Sequence, residues 1–415
     1  MNKMKIIIAH PGRQHSYRLA SALKKNGDLL FYCTTIYDKD SSILMKVVKK
    51  ILSKDNLKRA SNRKNKDLND NEVVQIGEVG GFLETLLVRI KKANTLYEKI
   101  RDFNSDKFGI KVAKLAIKHN ADMVIMYDSN ATEAFKFLKK NAPTIKRVLD
   151  VSIAARPYLK NIYTKEMEKS CTRDLYLENR AWWKESKIKK LQQEIDDSDY
   201  FLAASAFVEE SLKFCGVKQE KILRVPYGVN VSSSFIHHVN LDKPLEVLYV
   251  GQVTYRKGIT YLLEAISNMN SKDVRLTIVG AYNSSDWFVK KYINKKNISF
   301  IGLVTLDKMK EIYNQSDVFV IDSIAEGMAQ VGIEAMACGL AVICSHNSGI
   351  DDIIKDKESG FVIPCCNVEI LKEKLQFFVD NREKAVEMGE KGRVISNKYT
   401  WEKYESNVIK ALHSV

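Results

Sequence analysis

The chain has 415 residues, 45% of them hydrophobic and 28% charged, too long for one ordinary core and too apolar for disorder, so two α/β domains are expected. Lys and Arg number 66 against 51 Asp and Glu, a net charge of +15, and no stretch approaches the ~18 uncharged apolar residues of a membrane span. The seven cysteines are scattered, with no CxxC pair and no His at zinc-ligand spacing, which argues against a disulfide scaffold or a structural zinc site and for a reducing, cytoplasmic setting.

The apolar run near Lys5 is too short for a signal h-region. Lys5 to His10 reads as a buried parallel strand, and the following PGRQHSYRLASALKKNG as a glycine-containing loop and an amphipathic helix ending near Gly27, a Rossmann-type opening. Gly12 falls in the loop and His15 at the helix start, where it is either a ligand group or a neighbour of the cap.

Residues 41–66 hold nine basic residues and one acid, Asp55. Ile43, Leu44, Val47, Val48, Ile51 and Leu52 recur at helical spacing, with Lys46, Lys49, Lys50 and Lys54 opposite. Such a basic amphipathic helix suits an anionic membrane surface, or equally a surface helix laid on its own domain. The basic residues are not interleaved with aromatics and no RRM, KH or helix-turn-helix pattern appears, so nucleic acid is not an expected partner.

Strands are expected at Ala121 to Tyr127, Lys146 to Val151, Tyr200 to Ser205 and Lys221 to Pro226, separated by helical patterns, which means a doubly wound parallel sheet. The second of these ends on Asp150, which either contacts substrate or caps the next segment. Trp182 and Trp183 are candidates for stacking on an acceptor, although packing of their helix against the sheet is the favoured reading.

After the Gly, Ser and Asn-rich stretch Pro226 to Ser234, the alternation restarts with LEVLYVG, VRLTIVG, ISFIG, DVFVID, AVICS and GFVIP. The expected division is residues 1–228, residues 240–396, and a helix within 397–415 returning to the first domain. Two Rossmann-like units in tandem leave the cleft between them as the expected site.

In DVFVIDSIAEGMAQVGIEAMACGLAVICS a buried strand ends at Asp322, Glu326 follows in a loop, and an apolar helix bearing Glu334 runs to Cys338 before Gly339. The unpaired amides and positive end of that helix suit a diphosphate. Glu326 would then face a sugar and Glu334 a ribose, since a carboxylate accepts hydrogen bonds from two neighbouring hydroxyls at once. Gly327 and Gly332 would let ligand and strand approach the backbone.

This E-x7-E stretch, with its EAMACG continuation, resembles that of family 4 glycosyltransferases. The resemblance extends over VLYVGQVTYRKGITYLLEA, LTIVG, ISFIGLVTLDKMKEIYNQSDVFVIDS, SGIDDIIKDKESGFVIP and YTWEKY, and in the first half over DSDYFLAASAFVEESLKFCGVKQEKILRVPYGVN; residues 28–120 match weakly or not at all. It implies the GT-B fold: α/β, two Rossmann-like doubly wound parallel-sheet domains facing each other across a cleft.

By that resemblance Lys257 would bind the donor diphosphate, Glu326 the transferred sugar and Glu334 the ribose, with the backbone amides of Gly327 and Met328 on the donor and Gly12 near phosphates and acceptor. The family often has Arg directly after the position of Gly251; here Gln252 stands there, and Arg256 beside Lys257 is the available substitute. Asp150 takes the place where many members carry a histidine over the donor sugar. The implied activity is retaining transfer of a hexose-type sugar from a nucleotide diphospho-sugar to a glycan or lipid-linked acceptor in bacterial surface polysaccharide synthesis. No cofactor or metal is expected, and the implied location is cytoplasmic or peripheral on the inner membrane face. A non-catalytic sugar-nucleotide or glycan-binding partner on the same scaffold is the alternative; an epimerase would need acid and base groups on both faces of the sugar, which the sequence does not offer.

Overall fold

The computed structural model describes residues 3–13, 15–39, 42, 63–87, 94–230 and 243–415. The expected basic helix within residues 41–66 lies outside these, apart from Ser42 and residues 63–66.

Thirteen strands among the described residues build two all-parallel sheets. The first contains β1 (Ile6–Ala9), β2 (Leu29–Thr34), β3 (Val73–Gln75), β4 (Met123–Tyr127), β5 (Lys146–Val151), β6 (Tyr200–Ala203) and β7 (Ile222–Arg224), in the order β3-β2-β1-β4-β5-β6-β7. The second contains β8 (Leu245–Val250), β9 (Val274–Val279), β10 (Ile298–Gly302), β11 (Val318–Ile321), β12 (Ala341–Ser345) and β13 (Gly360–Ile363), in the order β10-β9-β8-β11-β12-β13. The expected α/β class with two doubly wound sheets is observed.

All residues of β1, β4, β11 and β12 are buried, because helices cover both faces of each sheet, and this is why these strands read as continuous apolar runs. In each sheet the strand order reverses direction at one point, between β1 and β4 and between β8 and β11. Loops leaving the carboxyl ends of neighbouring strands diverge there, which opens a crevice for a ligand.

Strands β2 and β3 fall in the stretch where the sequence offered no resemblance. The three residues of β3 are too few to show a period.

The helix Trp401–His413, capped by the Thr400 hydroxyl accepting from the Lys403 amide, packs on the helix Ser16–Asn26 of the first domain. Its face at Tyr404, Val408 and Leu412 is buried. The edges are pinned by Lys25 on Glu405 at 2.6 Å, His413 on Asp28 at 2.7 Å and the Arg18 guanidinium 4.9 Å from the Trp401 ring centre. The two crossings between domains run side by side: the Val229 amide donates to Tyr399 O at 2.9 Å, and a Cβ on Gly228 would come within 2.4 Å of the Trp401 nitrogen.

Leu412 is fully buried, so Leu412→Ala should cost about 2–5 kcal/mol in urea denaturation. Asn407→Ala, on the exposed side of the same helix, should stay within about 0.5 kcal/mol.

Candidate functional site

Strand β8 ends at Val250, and the chain turns through Gly251 and Gln252 into a short 3-10 turn, Tyr255–Lys257. The Gly251 amide donates to Val279 O at 2.9 Å and the Gln252 carbonyl accepts from the Tyr249 hydroxyl at 2.8 Å, while the Gln252 residue is exposed. The turn is closed by Gly258 at φ +72°. A Cβ there would lie 1.6 Å from Asp322 O, so only glycine lets this turn sit against the end of β11.

A carboxylate of the other domain holds the same turn: Glu178 accepts from the amides of Tyr255 at 2.6 Å and Arg256 at 3.1 Å. Burial raises the Glu178 carboxyl, and these two amides oppose the rise.

From the end of β11 the loop brings Glu326 to the same place. One of its oxygens is 2.5 Å from Arg256 Nη1 and 2.5 Å from Lys257 Nζ, and Arg256 also donates to Ala325 O at 2.6 Å. Burial pushes the Glu326 carboxyl up, but Arg256 and Lys257 together outweigh it and hold it below its ordinary value. Burial lowers the Lys257 ammonium despite Glu326. The two expected cations and the first expected glutamate therefore form one cluster.

The Glu326 amide donates to Asn347 O at 3.0 Å and that of Ala329 to Ser348 O at 3.1 Å. Among the described residues the intervening amides of Gly327 and Met328 find no acceptor, leaving two N–H donors beside the cation pair, ahead of the helix Gln330–Ala337. Glu334 lies on that helix; burial raises its carboxyl, with the Tyr313 hydroxyl opposing.

What approaches the Gly327 backbone here is the other domain: a Cβ would strike Ser152 O at 2.1 Å, and the Ser205 hydroxyl donates to Gly327 O at 2.5 Å. The Met328 sulfur likewise accepts from the Tyr227 amide at 3.1 Å. The glycine thus serves contact between the domains.

On the facing wall His15 starts the helix after β1 without a side-chain cap. Its Nε2 is 3.0 Å from Asp150 Oδ2 and 3.1 Å from the Tyr227 hydroxyl, with its ring centre 5.0 Å from that of Tyr127. Asp150 is 2% exposed and does not cap the next segment, since the helix Arg156–Ser170 has no side-chain cap; the imidazole is its partner. Gly12 donates its amide to His10 Nδ1 at 2.8 Å. Burial drops His10 to about 4, so it stays neutral and able to accept this bond at physiological pH.

Trp182 and Trp183 pack on the cluster around Leu159, Tyr163, Tyr255, Ile324 and Ala325. That cluster joins the two domains, so these rings do not pack on the sheet as expected. Glu178, Ser205, Tyr227 and Asn347 were not singled out in the sequence. Tyr227 could have been, because it follows the Pro226 that ends a strand of the resembling stretch; Glu178 carries no local signal.

Two seven- and six-stranded parallel sheets with their switch points in one cleft define the GT-B class. The Anabaena protein HepE in complex with UDP has this fold, with a TM-score of 0.64 at 13% identity over 99% of this chain and all of that one. More particularly, residues 233–395 match the family described as glycosyl transferases group 1. An uncharacterized glycosyltransferase of Methanocaldococcus jannaschii is 30% identical over 38% of this chain and 44% of its own length. The capsular polysaccharide biosynthesis glycosyltransferase CapM of Staphylococcus aureus is 27% identical over 41% of this chain and 47% of its own. The match spans less than half the length of these relatives.

Removing one member of a buried ion cluster strands the others, so Glu326→Gln should destabilise the ligand-free protein by about 3 kcal/mol at neutral pH. A lowered carboxyl contributes stability above the ordinary glutamate value of 4.5 and loses it as pH falls through the lowered value. Denaturation of the two proteins should therefore converge in acid; a gap that persists there would mean that packing, not charge, sets the difference.

Proposed function

We propose that the protein is a retaining glycosyltransferase that moves a hexose-type sugar from a nucleotide diphospho-sugar to a glycan or lipid-linked acceptor. The observation that carries this reading is the convergence of Arg256 and Lys257 on Glu326, beside the acceptor-free amides of Gly327 and Met328.

In the ligand-free protein Glu326 neutralises the cations that a diphosphate would take. Once the donor is bound, Lys257 and Arg256 hold the diphosphate, with Arg256 supplying the cation that position 252 lacks. Glu326 turns to the sugar hydroxyls, and Glu334 accepts from the ribose. As the bond from the anomeric carbon to the phosphate oxygen breaks, negative charge grows on the leaving diphosphate, and fixed positive groups stabilise it without reorganising. The acceptor oxygen bonds to the same face of that carbon and its proton passes to the departing phosphate oxygen, so no metal or separate base is required. His15, held by Asp150 and Tyr227, lies on the acceptor side with Gly12.

The UDP bound to the Anabaena neighbour and the capsule role in the name of the Staphylococcus relative support a nucleotide-sugar donor and a place in surface polysaccharide synthesis. An anionic membrane surface, met through residues 41–66, would bring the enzyme to a lipid-linked acceptor from the cytoplasmic side. Among the described residues no helix is long and apolar enough to cross a membrane.

The test is binding and slow hydrolysis of UDP-, GDP-, dTDP- and ADP-sugars. Glu326→Ala should cut turnover by about 10²–10³, whereas Glu334→Ala should mainly weaken donor binding, by about tenfold or more. Equal, small effects would sink the assigned roles, and selective binding without turnover, lipid-linked acceptor present, would identify a non-catalytic sugar-nucleotide partner.

A further inference from the structure

Two neighbouring helices of the first domain, Glu78–Leu87 and Asn94–Lys118, expose a face of unusual composition. On the first helix the exposed side chains are Val79, Leu83 and Leu86, at 75%, 43% and 61% exposure, and their i, i+4, i+7 spacing puts them on one side. The helix lies close against the second: the Asn104 amide donates to Glu84 at 2.7 Å, and a Cβ on Gly80 would meet Asn104 at 2.7 Å.

On the second helix Leu96 and Phe103 are exposed, at 53% and 57%. Among its described side chains the other exposed positions are Lys99, Lys107, Lys111, Lys114 and Lys118, and a helical period places all seven on one face. Lys107 holds its ammonium 4.0 Å from the Phe103 ring centre.

The exposed residues of this face are not acidic, although the Asp106 side chain is 40% exposed where it pairs with Lys190. The acids Asp102 and Asp106 are drawn to Lys187 and Lys190 of the helix Glu185–Asp196. A face that only met water would mix both signs and few large apolar groups. Here aliphatic side chains adjoin a row of five lysines, the pattern of an element that buries its apolar side at the headgroup boundary of an anionic bilayer.

We propose that these two helices form a docking surface for an anionic lipid bilayer, separate from residues 41–66 and independent of the donor chemistry. Ser42 donates to Glu78 at the start of the first helix with 2.8 Å between the oxygens. The five lysines draw the protein to the charged surface, and the exposed aliphatics enter it.

The experiment is flotation of the full chain with vesicles of phosphatidylcholine alone or mixed with phosphatidylglycerol. Binding should require phosphatidylglycerol and weaken with added salt. The variant Lys107→Gln/Lys111→Gln/Lys114→Gln should lose affinity on the order of a hundredfold, and Val79→Ser/Leu83→Ser/Leu86→Ser about tenfold or more. Circular dichroism of these surface variants checks that they remain folded. Absence of binding to the mixed vesicles, or wild-type affinity in both variants, overturns the proposal. So does self-association that the aliphatic substitutions abolish without vesicle binding, because the face would then belong to a second copy of the chain. None of these readings uses catalysis, so failure here leaves the transferase reading untouched.

Discussion

One oxygen of Glu326 accepts both Arg256 and Lys257 in a largely buried place, and the geometry of the cleft is organised around keeping them there. Taking three charges out of water is costly, and mutual attraction offsets the cost only when the partners are held in good geometry. The turn carrying the cations is therefore fixed from two sides: Glu178 of the first domain binds its amides, and Gly258 lets it lie on the end of β11. The loop carrying Glu326 is fixed by Asn347 and by the backbone contact of Gly327 with Ser152. An anion arriving in the cleft would meet donors already in position, and the carboxylate that held them would be released toward whatever the anion carries. Under the proposed function, the ligand-free pairing would be a placeholder for the bound state.

Much of the architecture was legible because physics leaves a strong mark on buried parallel strands. The runs IIIA, VFVI and AVIC inside KIIIAH, DVFVID and AVICS are apolar because they are covered on both faces, and the glycine that stops the first helix, Gly27, sits at φ +81°. The carboxylate pair was legible because its spacing straddles a strand end and a helix start. The escorts of those groups were hidden. Glu178 and Ser205 reach the site from the opposite domain, and no local pattern says that a glutamate in a short helix will cap a turn 77 residues away. The same reason explains Trp182 and Trp183, whose surroundings exist only once both domains have met. Asp150 was read against its chain neighbours, whereas its partner, His15, comes from a loop 135 residues distant. Strands β2 and β3 were missed where the chain departs from the resembling family and where one strand is only three residues long.

The first domain thus carries two kinds of surface. Toward the second domain it offers His15, Asp150, Tyr227 and the Ser152 carbonyl, an arrangement of buried polar groups with specified partners. Along the two helices Glu78–Leu87 and Asn94–Lys118 it offers a face whose apolar and basic groups are left open. These two helices fall within residues 28–120, the part that matches the resembling family weakly or not at all, which is where acceptor recognition would be written if the donor half is shared.

The helix Trp401–His413 has a consequence for how the molecule is made. It completes the burial of the helix Ser16–Asn26, yet it is translated only after the whole second sheet. During synthesis, at about 5–20 residues per second, the first sheet leaves the ribosome with one flank uncovered and waits for some 170 residues, from β8 onward, before that flank can close. Nascent first domain is therefore the species in which the side of the helix Ser16–Asn26 that carries Arg18, Lys25 and Asn26, and meets Trp401–His413 in the finished protein, would be open to chaperones or to other chains. A fragment ending before residue 401 would keep both sheets and remain in that unfinished state.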